Sequence, residues 1–139
     1  MLVWIVFLVL LVLDIYLIKS TREPRNLTIV KERYQVLMDY INSGQAPKKF
    51  DVLGTPLLVT KKSDFTEELG YNSNKGLEIG LSTDSDPNDT FHVLIHELSH
   101  STVEEYDHSE QFWSNFAELQ DICSRLGIYD QSRVTIGKH

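Results

Sequence analysis

The sequence predicts a small α+β domain that follows one N-terminal apolar helix, and three observations lead to this class. An apolar run interrupted by one charge occupies residues 2–18. After it, apolar residues recur at helical spacing in three segments. Two short segments have the composition of strands. The 139 residues therefore divide into an N-terminal segment at 1–19, a linker at 20–26 and one domain at 27–139.

The N-terminal run predicts a transmembrane anchor, with a buried core helix as the alternative. As a helix, Leu2–Ile18 is about 25 Å long, just sufficient for a bilayer core. Its charged residue, Asp14, lies near the C-terminal end, where a charge costs less than at mid-bilayer. The positive-inside tendency then predicts a single-pass protein with its N-terminus outside and the domain at 27–139 in the cytosol. The basic residues that set this orientation follow the run: Lys19, Arg22, Arg25, Lys31 and Arg33.

Charge is distributed unevenly along the chain. Nine basic and four acidic residues lie between Lys19 and Lys62, whereas four basic and fifteen acidic residues lie between Ser63 and His139. Affinity for phosphate backbones depends on clustered Lys and Arg, so nucleic acid is not expected as a partner of the acidic half. The single cysteine, Cys123, excludes an intramolecular disulfide and a cysteine-based metal site.

The domain is predicted to begin with an amphipathic helix that ends near Gly44, followed by a turn at Ala46–Lys49. The sequence PLLVT at 56–60 is a strand candidate, and LGYNSNK at 69–75 is rich in turn formers. Residues 76–81 alternate apolar and polar side chains, which predicts a half-buried strand of the kind found at a sheet edge. The apolar stripe of the helix consists of Leu27, Val30, Tyr34, Leu37, Met38 and Ile41.

Two further helices are predicted after these strands. Asp86 and Pro87 form an N-terminal capping signature, and the helix after them is expected to reach about Val103. The next helix is expected to begin at 108–109 and to stop at Gly127. The tail beyond it is at most a short strand. The apolar stripe of this last helix consists of Phe112, Phe116, Leu119, Ile122, Cys123 and Leu126.

The first of these two helices carries the sequence HELSH at 96–100. His96 and His100 are four residues apart, so both imidazoles project from one helix face and can reach one ion. Glu97 lies beside His96, which suits a general base that takes a proton from water activated by the metal. This spacing is the HExxH arrangement of zinc peptidases. A polar helix face that happens to be rich in His and Glu is the alternative.

A third ligand would complete a metal site with one position open to water. His108 is the best placed, because the seven residues after His100 allow the helix to end and a side chain to return. Glu118, on the following helix, is an alternative carboxylate ligand. His92, one turn before His96, lies too far from His100 for all three to converge.

Three segments resemble the WLM-domain metallopeptidases, relatives of the SprT/Spartan group: LGYNSNKGLEIGLSTD, VLIHELSH and HSEQFW. The resemblance covers about 64–126 and implies a zincin-like domain in which a short sheet packs on the HExxH helix. It also implies that Phe112 and Trp113 are packing residues that seat the helix after His108. The seven-residue spacing departs from the family pattern and requires a one-turn helix extension. The zinc ligands that the resemblance implies are His96, His100 and His108, with Glu97 as the base.

These features together predict a membrane-anchored zinc metallopeptidase that hydrolyses peptide bonds of protein or peptide substrates. The strand containing Leu77, Ile79 and Gly80 is expected to pair with an extended substrate through main-chain hydrogen bonds. Two alternatives remain open: a catalytically silent, zinc-bound structural or interaction protein of a membrane or particle assembly, and a DNA–protein crosslink protease. The acidic charge of the motif-bearing half disfavours the latter. Candidates for the oxyanion stabiliser are Tyr71, Tyr106 and His92.

Overall fold

The computed structural model describes residues 1–21, 23–62, 68–73, 78–104 and 108–135, without the side chains of 19–21 and 73. The strands of this described part are β1 (Leu58–Lys61), β2 (Gly70–Ser73) and β3 (Glu78–Leu81). Its α-helices are α1 (Leu2–Thr21), α2 (Arg25–Asn42), α3 (Pro87–His100) and α4 (Glu110–Arg125). Because each strand has four residues and each helix has 14 or more, the described chain is mostly helical. The predicted α+β class is therefore wrong, because the described chain is mostly helical with one small three-stranded sheet.

The first helix, α1, exposes its side chains from Leu2 to Ile18. The prediction of a transmembrane anchor at 1–19 is wrong, because no helix of the described residues is long and apolar enough to cross a bilayer. The predicted single-pass location, with the catalytic domain in the cytosol, loses its basis for the same reason. α1 continues to Thr21 and α2 begins at Arg25, so the connection is shorter than the predicted linker.

The second helix, α2, buries the stripe that its periodicity predicts. All six apolar positions of that stripe are buried. The helix ends at Asn42, and Gly44 then adopts a φ of 83°, a conformation that favours glycine. A 3₁₀ helix, Lys48–Gly54, follows where only a turn was predicted. It forms because Phe50 and Leu53, which were not predicted as core residues, are buried in the core.

The small sheet has the order β1-β3-β2, so β3 is its central strand. β3 pairs in parallel with β1 and antiparallel with β2. Ile79 and Leu81 are fully buried on the core face, while Thr60 Oγ1 donates to Glu78 Oε1 on the other face. A position of β3 at a sheet edge is excluded, because both of its sides are paired.

The strand β2 was not predicted, since its residues GYNS are typical of turns. It forms because its four residues pair with β3 along their whole length. Gly70 also permits a close approach to α3, since a Cβ at this position would overlap the Cγ1 atom of Val93. Tertiary pairing and close packing therefore override the local turn preference.

The central helix of the domain is α3, which packs against α2, α4 and the sheet. It begins as predicted, with Pro87 in its first turn and Asp86 Oδ1 accepting from the Asp89 N–H at 2.9 Å. Its apolar residues, including Phe91, Leu94, Ile95 and Leu98, are buried in the core. The motif-bearing helix is thus held on several sides.

The C-terminal segment crosses the first turn of α3. Asn88 Nδ2 donates to the Asp130 carbonyl at 2.9 Å, and Asn88 Oδ1 accepts from the Asp130 N–H at 2.8 Å. The Asp89 carboxylate accepts from the Thr135 N–H at 2.9 Å and from its hydroxyl at 2.5 Å. Within residues 131–135 the tail contains a short 3₁₀ helix, Gln131–Arg133, and no strand. These bonds fix the start of α3.

Candidate metal site

The end of α3 determines how the chain leaves the HELSH motif. The helix ends at His100, about one turn before the predicted Val103. The Thr102 hydroxyl donates to the Ser99 carbonyl at 2.6 Å and accepts from Asn115 Nδ2 of α4 at 2.9 Å. Hydroxyl side chains that bind nearby carbonyls compete with helix continuation. The one-turn extension that the resemblance required is therefore absent from the described residues 101–104.

The next helix begins immediately after the third histidine. Ser109 caps α4, and its hydroxyl accepts from the Phe112 N–H at 3.2 Å. This confirms the predicted start of the helix. His108 consequently precedes the first turn of α4, while His96 and His100 lie on the last turns of α3. Two adjacent helix ends thus present the three side chains to one region.

The structure brings His96, His100 and His108 together. One ring nitrogen from each lies within 4.8 Å of the others. The Nε2 atoms of His96 and His108 are 3.3 Å apart. The ring centroids are separated by 4.9 to 5.1 Å in all three pairs. The three predicted ligands therefore form a compact cluster that could hold a metal ion.

The donor set and its electrostatics suit zinc. Zinc binds imidazole nitrogen at about 2.0–2.1 Å, which in a tetrahedron places two nitrogens about 3.3–3.4 Å apart. The His96–His108 separation of 3.3 Å matches that spacing. Burial, and then the neighbouring His100, lower the pKa of His96 to about 4. Burial, and then His108, lower the pKa of His100. Both imidazoles are therefore neutral at pH 7, the form that binds metal.

One nitrogen of the cluster has no partner among the described residues. The Nδ1 atom of His100 is buried and makes no hydrogen bond. An unsatisfied buried polar atom costs about 1–3 kcal/mol. A cation bound through Nδ1 would satisfy this atom, so the orphaned nitrogen is compatible with a metal site.

The proposed base, Glu97, is half-buried on the same helix. Burial is the main cause that raises its pKa to about 7, and the nearby Glu68 carboxylate raises it further. A carboxyl group that titrates near neutral pH can both accept and return a proton under physiological conditions. Glu97 lies outside the three-histidine cluster, which leaves it free for that role.

The two alternative ligands are engaged elsewhere. Glu118 forms a salt bridge with Lys49. His92 Nδ1 lies 2.7 Å from the Tyr129 hydroxyl, which accepts from Gln120 Nε2 at 3.1 Å. The Tyr129 hydroxyl thus joins His92 to Gln120, and this contact holds the His92 ring away from the other histidines. Neither residue belongs to the metal-competent cluster.

Aromatic side chains of α4 enclose one side of the cluster. Phe112 is fully buried, with its ring centroid 4.5 Å from that of His100 and 5.1 Å from that of His96. It packs as the resemblance implied. Trp113, however, is 49% exposed, although its ring lies only 5.4 Å from that of His108. Trp113 is therefore not a core residue.

The predicted mode of substrate pairing does not fit the sheet. β3 is paired on both sides and Ile79 is fully buried, so the main chain at Ile79 and Gly80 is not open to a peptide. Leu77 lies outside the described residues. Within the described sheet, the edges without a strand partner are those of β1 and β2. The strand β2 was not predicted, because its residues are typical of turns.

The oxyanion candidates also separate in the structure. A Cβ at Gly80 would overlap the Tyr71 ring, so Tyr71 lies across Gly80 on the sheet face opposite Ile79 and α3. Tyr106 lies outside the described residues. The His92 ring contacts the Tyr129 hydroxyl. The one sequence signal for this contact is the apolar pair Ile128–Tyr129, which follows the helix stop at Gly127.

No family model matches the chain, so the resemblance to WLM-domain metallopeptidases stays a prediction. A stretch of 48 residues is 38% identical to Uncharacterized protein 136R of Invertebrate iridescent virus 6, covering 34% of this chain. The chain spans about a quarter of the length of that curated relative, or 27%.

Among solved structures, the chain is similar to the crystal structure of the metallopeptidase zymogen of Pyrococcus abyssi abylysin. The similarity covers 63% of this chain and 85% of that chain, with 23% sequence identity and a TM-score of 0.42. A structural neighbour of this chain is thus a metallopeptidase zymogen.

Proposed function

We propose that this chain is a zinc-dependent metallopeptidase that hydrolyses peptide bonds of protein substrates. The observation that carries the proposal is the convergence of three histidine nitrogens within 4.8 Å, beside a half-buried Glu97 on the same helix. A metal staple needs the histidines but not the glutamate. The Glu97 carboxyl, whose pKa is raised to about 7, is the proton-transfer group that hydrolysis requires.

The chain's residues divide the work of hydrolysis among themselves. The cation would be held by His96, His100 and His108. When bound, it would lower the pKa of a water molecule and polarise the scissile carbonyl. Glu97 takes a proton from the attacking water and later delivers it to the leaving amine. Phe112 excludes solvent from one side of the histidine rings.

In this proposal the substrate lies along the edge of β2 that pairs with no described strand. Asn72 Nδ2 donates to Ser101 Oγ at 3.3 Å, which places β2 beside the residue that follows His100. The edge of β1 lies on the opposite side of β3. An extended peptide on β2 would form main-chain hydrogen bonds that select little for side chains. This assignment replaces the strand β3 as the pairing strand.

A second candidate is a catalytically silent, zinc-bound structural protein. The observation in its favour is that the cluster joins the end of α3 to the start of α4, as a metal staple would. A DNA–protein crosslink protease has no comparable support, since the half that contains the cluster is strongly acidic.

Measurement of zinc content together with cleavage separates these two functions. The purified full chain should hold about one zinc and cleave a denatured protein. Glu97→Gln should retain zinc and lose cleavage by about two to four orders of magnitude. Glu104→Gln, at an exposed position on the segment after α3, is the matched control and should retain both. Full zinc content without cleavage by the unmodified chain would favour the structural role.

A further inference from the structure

Trp113 is an exposed tryptophan on α4, and the packing of this helix against the core does not need its side chain. The buried residues of this helix form a continuous stripe without it: Phe112, Asn115, Phe116, Leu119, Gln120, Ile122 and Cys123. Tryptophan is usually largely buried, yet Trp113 is 49% exposed. Among the described Phe, Tyr and Trp side chains outside α1, it is the one that is exposed.

The exposed indole lies directly beside the histidine cluster. Its ring centroid is 5.4 Å from that of His108 and 6.3 Å from that of His96. On its inner side it contacts Phe112 at 5.0 Å and Phe116 at 5.8 Å, both edge to face. The ring is therefore held against a buried aromatic base, and half of its surface remains open next to the metal site.

We infer that Trp113 is a specificity residue whose indole receives an apolar side chain of the substrate, next to the scissile bond. This inference rests on the proposed function. Consecutive Cα atoms of a peptide are 3.8 Å apart. A residue flanking a carbonyl at the cluster therefore falls within reach of a ring 5 to 6 Å away.

The chemistry of the surroundings selects an apolar partner. The ring neighbours of Trp113 in the described structure are the imidazoles of His96 and His108 and the hydrocarbon rings of Phe112 and Phe116. An indole supported in this way offers a rigid apolar surface at low cost in conformational entropy. Burial of a leucine or phenylalanine against it removes apolar surface from water on both partners.

The test compares peptides that differ at one position. Mass spectrometry of a cleaved denatured protein first locates the scissile bond for the full chain. Matched peptides then carry Ala, Leu, Phe, Lys or Asp at each flanking position, and kcat/KM is measured with zinc content recorded. We expect Phe and Leu to exceed Ala by about tenfold at one position.

The variants decide whether Trp113 causes that preference. Trp113→Ala should lose most of the Phe-to-Ala ratio while zinc content stays constant, and Trp113→Phe should retain most of it. Val36→Ala, an exposed apolar position on α2, should leave the ratio unchanged. A preference that survives in Trp113→Ala overturns the inference. A preference for Lys that Trp113→Ala abolishes also overturns it, because that result indicates a cation–π site.

A binding measurement distinguishes failure of this inference from failure of the proposed function. The chain has two tryptophans, so Trp4→Phe leaves Trp113 as the fluorophore. In a zinc-loaded Trp4→Phe, Glu97→Gln chain, the Phe peptide should shift the Trp113 emission at lower concentration than the Ala peptide. If the unmodified chain cleaves nothing, the peptidase proposal fails, but this shift would still support an apolar ligand at Trp113. Equal or absent shifts overturn the Trp113 inference, whether or not cleavage occurs.

Discussion

The Nε2 atoms of His96 and His108 lie 3.3 Å apart, although the two residues belong to different segments separated by the end of α3. Without a cation, the two rings share a hydrogen bond when one of these nitrogens carries its ring's proton and the other does not. With a cation bound, both rings would stay neutral with their protons on Nδ1, so that both Nε2 lone pairs could face one centre. This contact links metal binding, the tautomers of two histidines and the alignment of two helices.

The first prediction is that His108 is required for metal binding. His108→Ala should reduce zinc from about one per chain to a small fraction, because two imidazoles alone hold the ion weakly. The loss of affinity should exceed the roughly 10- to 100-fold effect of removing an outer-shell partner. Zinc content after dialysis against a weak chelator measures it. Glu118→Ala is the control and should keep its zinc, since Glu118 pairs with Lys49. The reverse result would assign the third ligand to the carboxylate.

The second prediction concerns the stability that the cation provides. A ligand that binds only the folded state stabilises it by about 4 kcal/mol at a free concentration of 1,000 Kd. Zinc should therefore raise the Tm of the unmodified chain in a concentration-dependent way, and a chelator should reverse the increase. His108→Ala should show a much smaller response. An equal response in both proteins would mean that zinc acts at another place.

The features that were predicted correctly from the sequence are those that depend on residues close together in the chain. The stripe of α2, the cap at Asp86 and the start of α4 at Ser109 were predicted because each depends on nearby residues. The grouping of His96 with His100 is likewise local, since four residues on a helix share a face.

Features that depend on distant residues were not predicted. Strand β2 depends on pairing with β3, and its own residues favour a turn. The helix stop at His100 depends partly on Asn115, which reaches Thr102 from α4. The exposure of Trp113 could not be distinguished from the burial of its neighbour Phe112, because both are aromatic and adjacent. The transmembrane prediction failed because the length of the run was marginal.

The third prediction addresses the support of His92. Tyr129→Phe removes the hydroxyl that is hydrogen-bonded to His92 Nδ1 and accepts from Gln120 Nε2. His92 and Gln120 then each lose a hydrogen-bond partner in a buried region. This loss should lower the free energy of unfolding by about 1–3 kcal/mol. Chemical denaturation measures the change. Tyr40→Phe is the matched control, because its hydroxyl makes a long, exposed contact of 3.4 Å. Equal effects of the two substitutions would show that the buried network adds no stability.

The fourth prediction concerns the pH dependence of the metal-free chain. Burial lowers the pKa of His92 below its usual value of 6.5. Above pH 6.5 the residue is neutral in both states. As pH falls below 6.5, the unfolded chain binds the proton first, so stability decreases until pH reaches the folded pKa. His96 and His100 act in the same direction.

The free energy of unfolding measured from pH 7.5 to 5 in a chelator should therefore fall. His92→Gln should flatten the profile only in part, because the other two histidines still titrate. Stability that rises as pH falls through this range would contradict the assigned direction of the shift.

The fifth prediction concerns the tail that crosses the start of α3. The buried Asp89 carboxylate accepts from both the Thr135 N–H and its hydroxyl. Thr135→Val keeps the main-chain bond and the shape of the side chain but removes the hydroxyl. Hydrogen bonds to charged groups contribute about 1.5–3 kcal/mol, so the free energy of unfolding should decrease by that order. Ser132→Ala, whose hydroxyl meets Asp130 at an exposed position, is the control and should have a smaller effect.

A double-mutant cycle tests whether the two residues act through one interaction. Asp89→Asn and Thr135→Val should each destabilise the chain, and the double variant should lose less than the sum of the single losses. Since Asp89 lies in the first turn of the helix that carries His96, the same variants should also weaken zinc binding through movement of α3. Purely additive effects on stability would show that the tail and α3 are stabilised independently, and the tail would then have no part in positioning the histidine cluster.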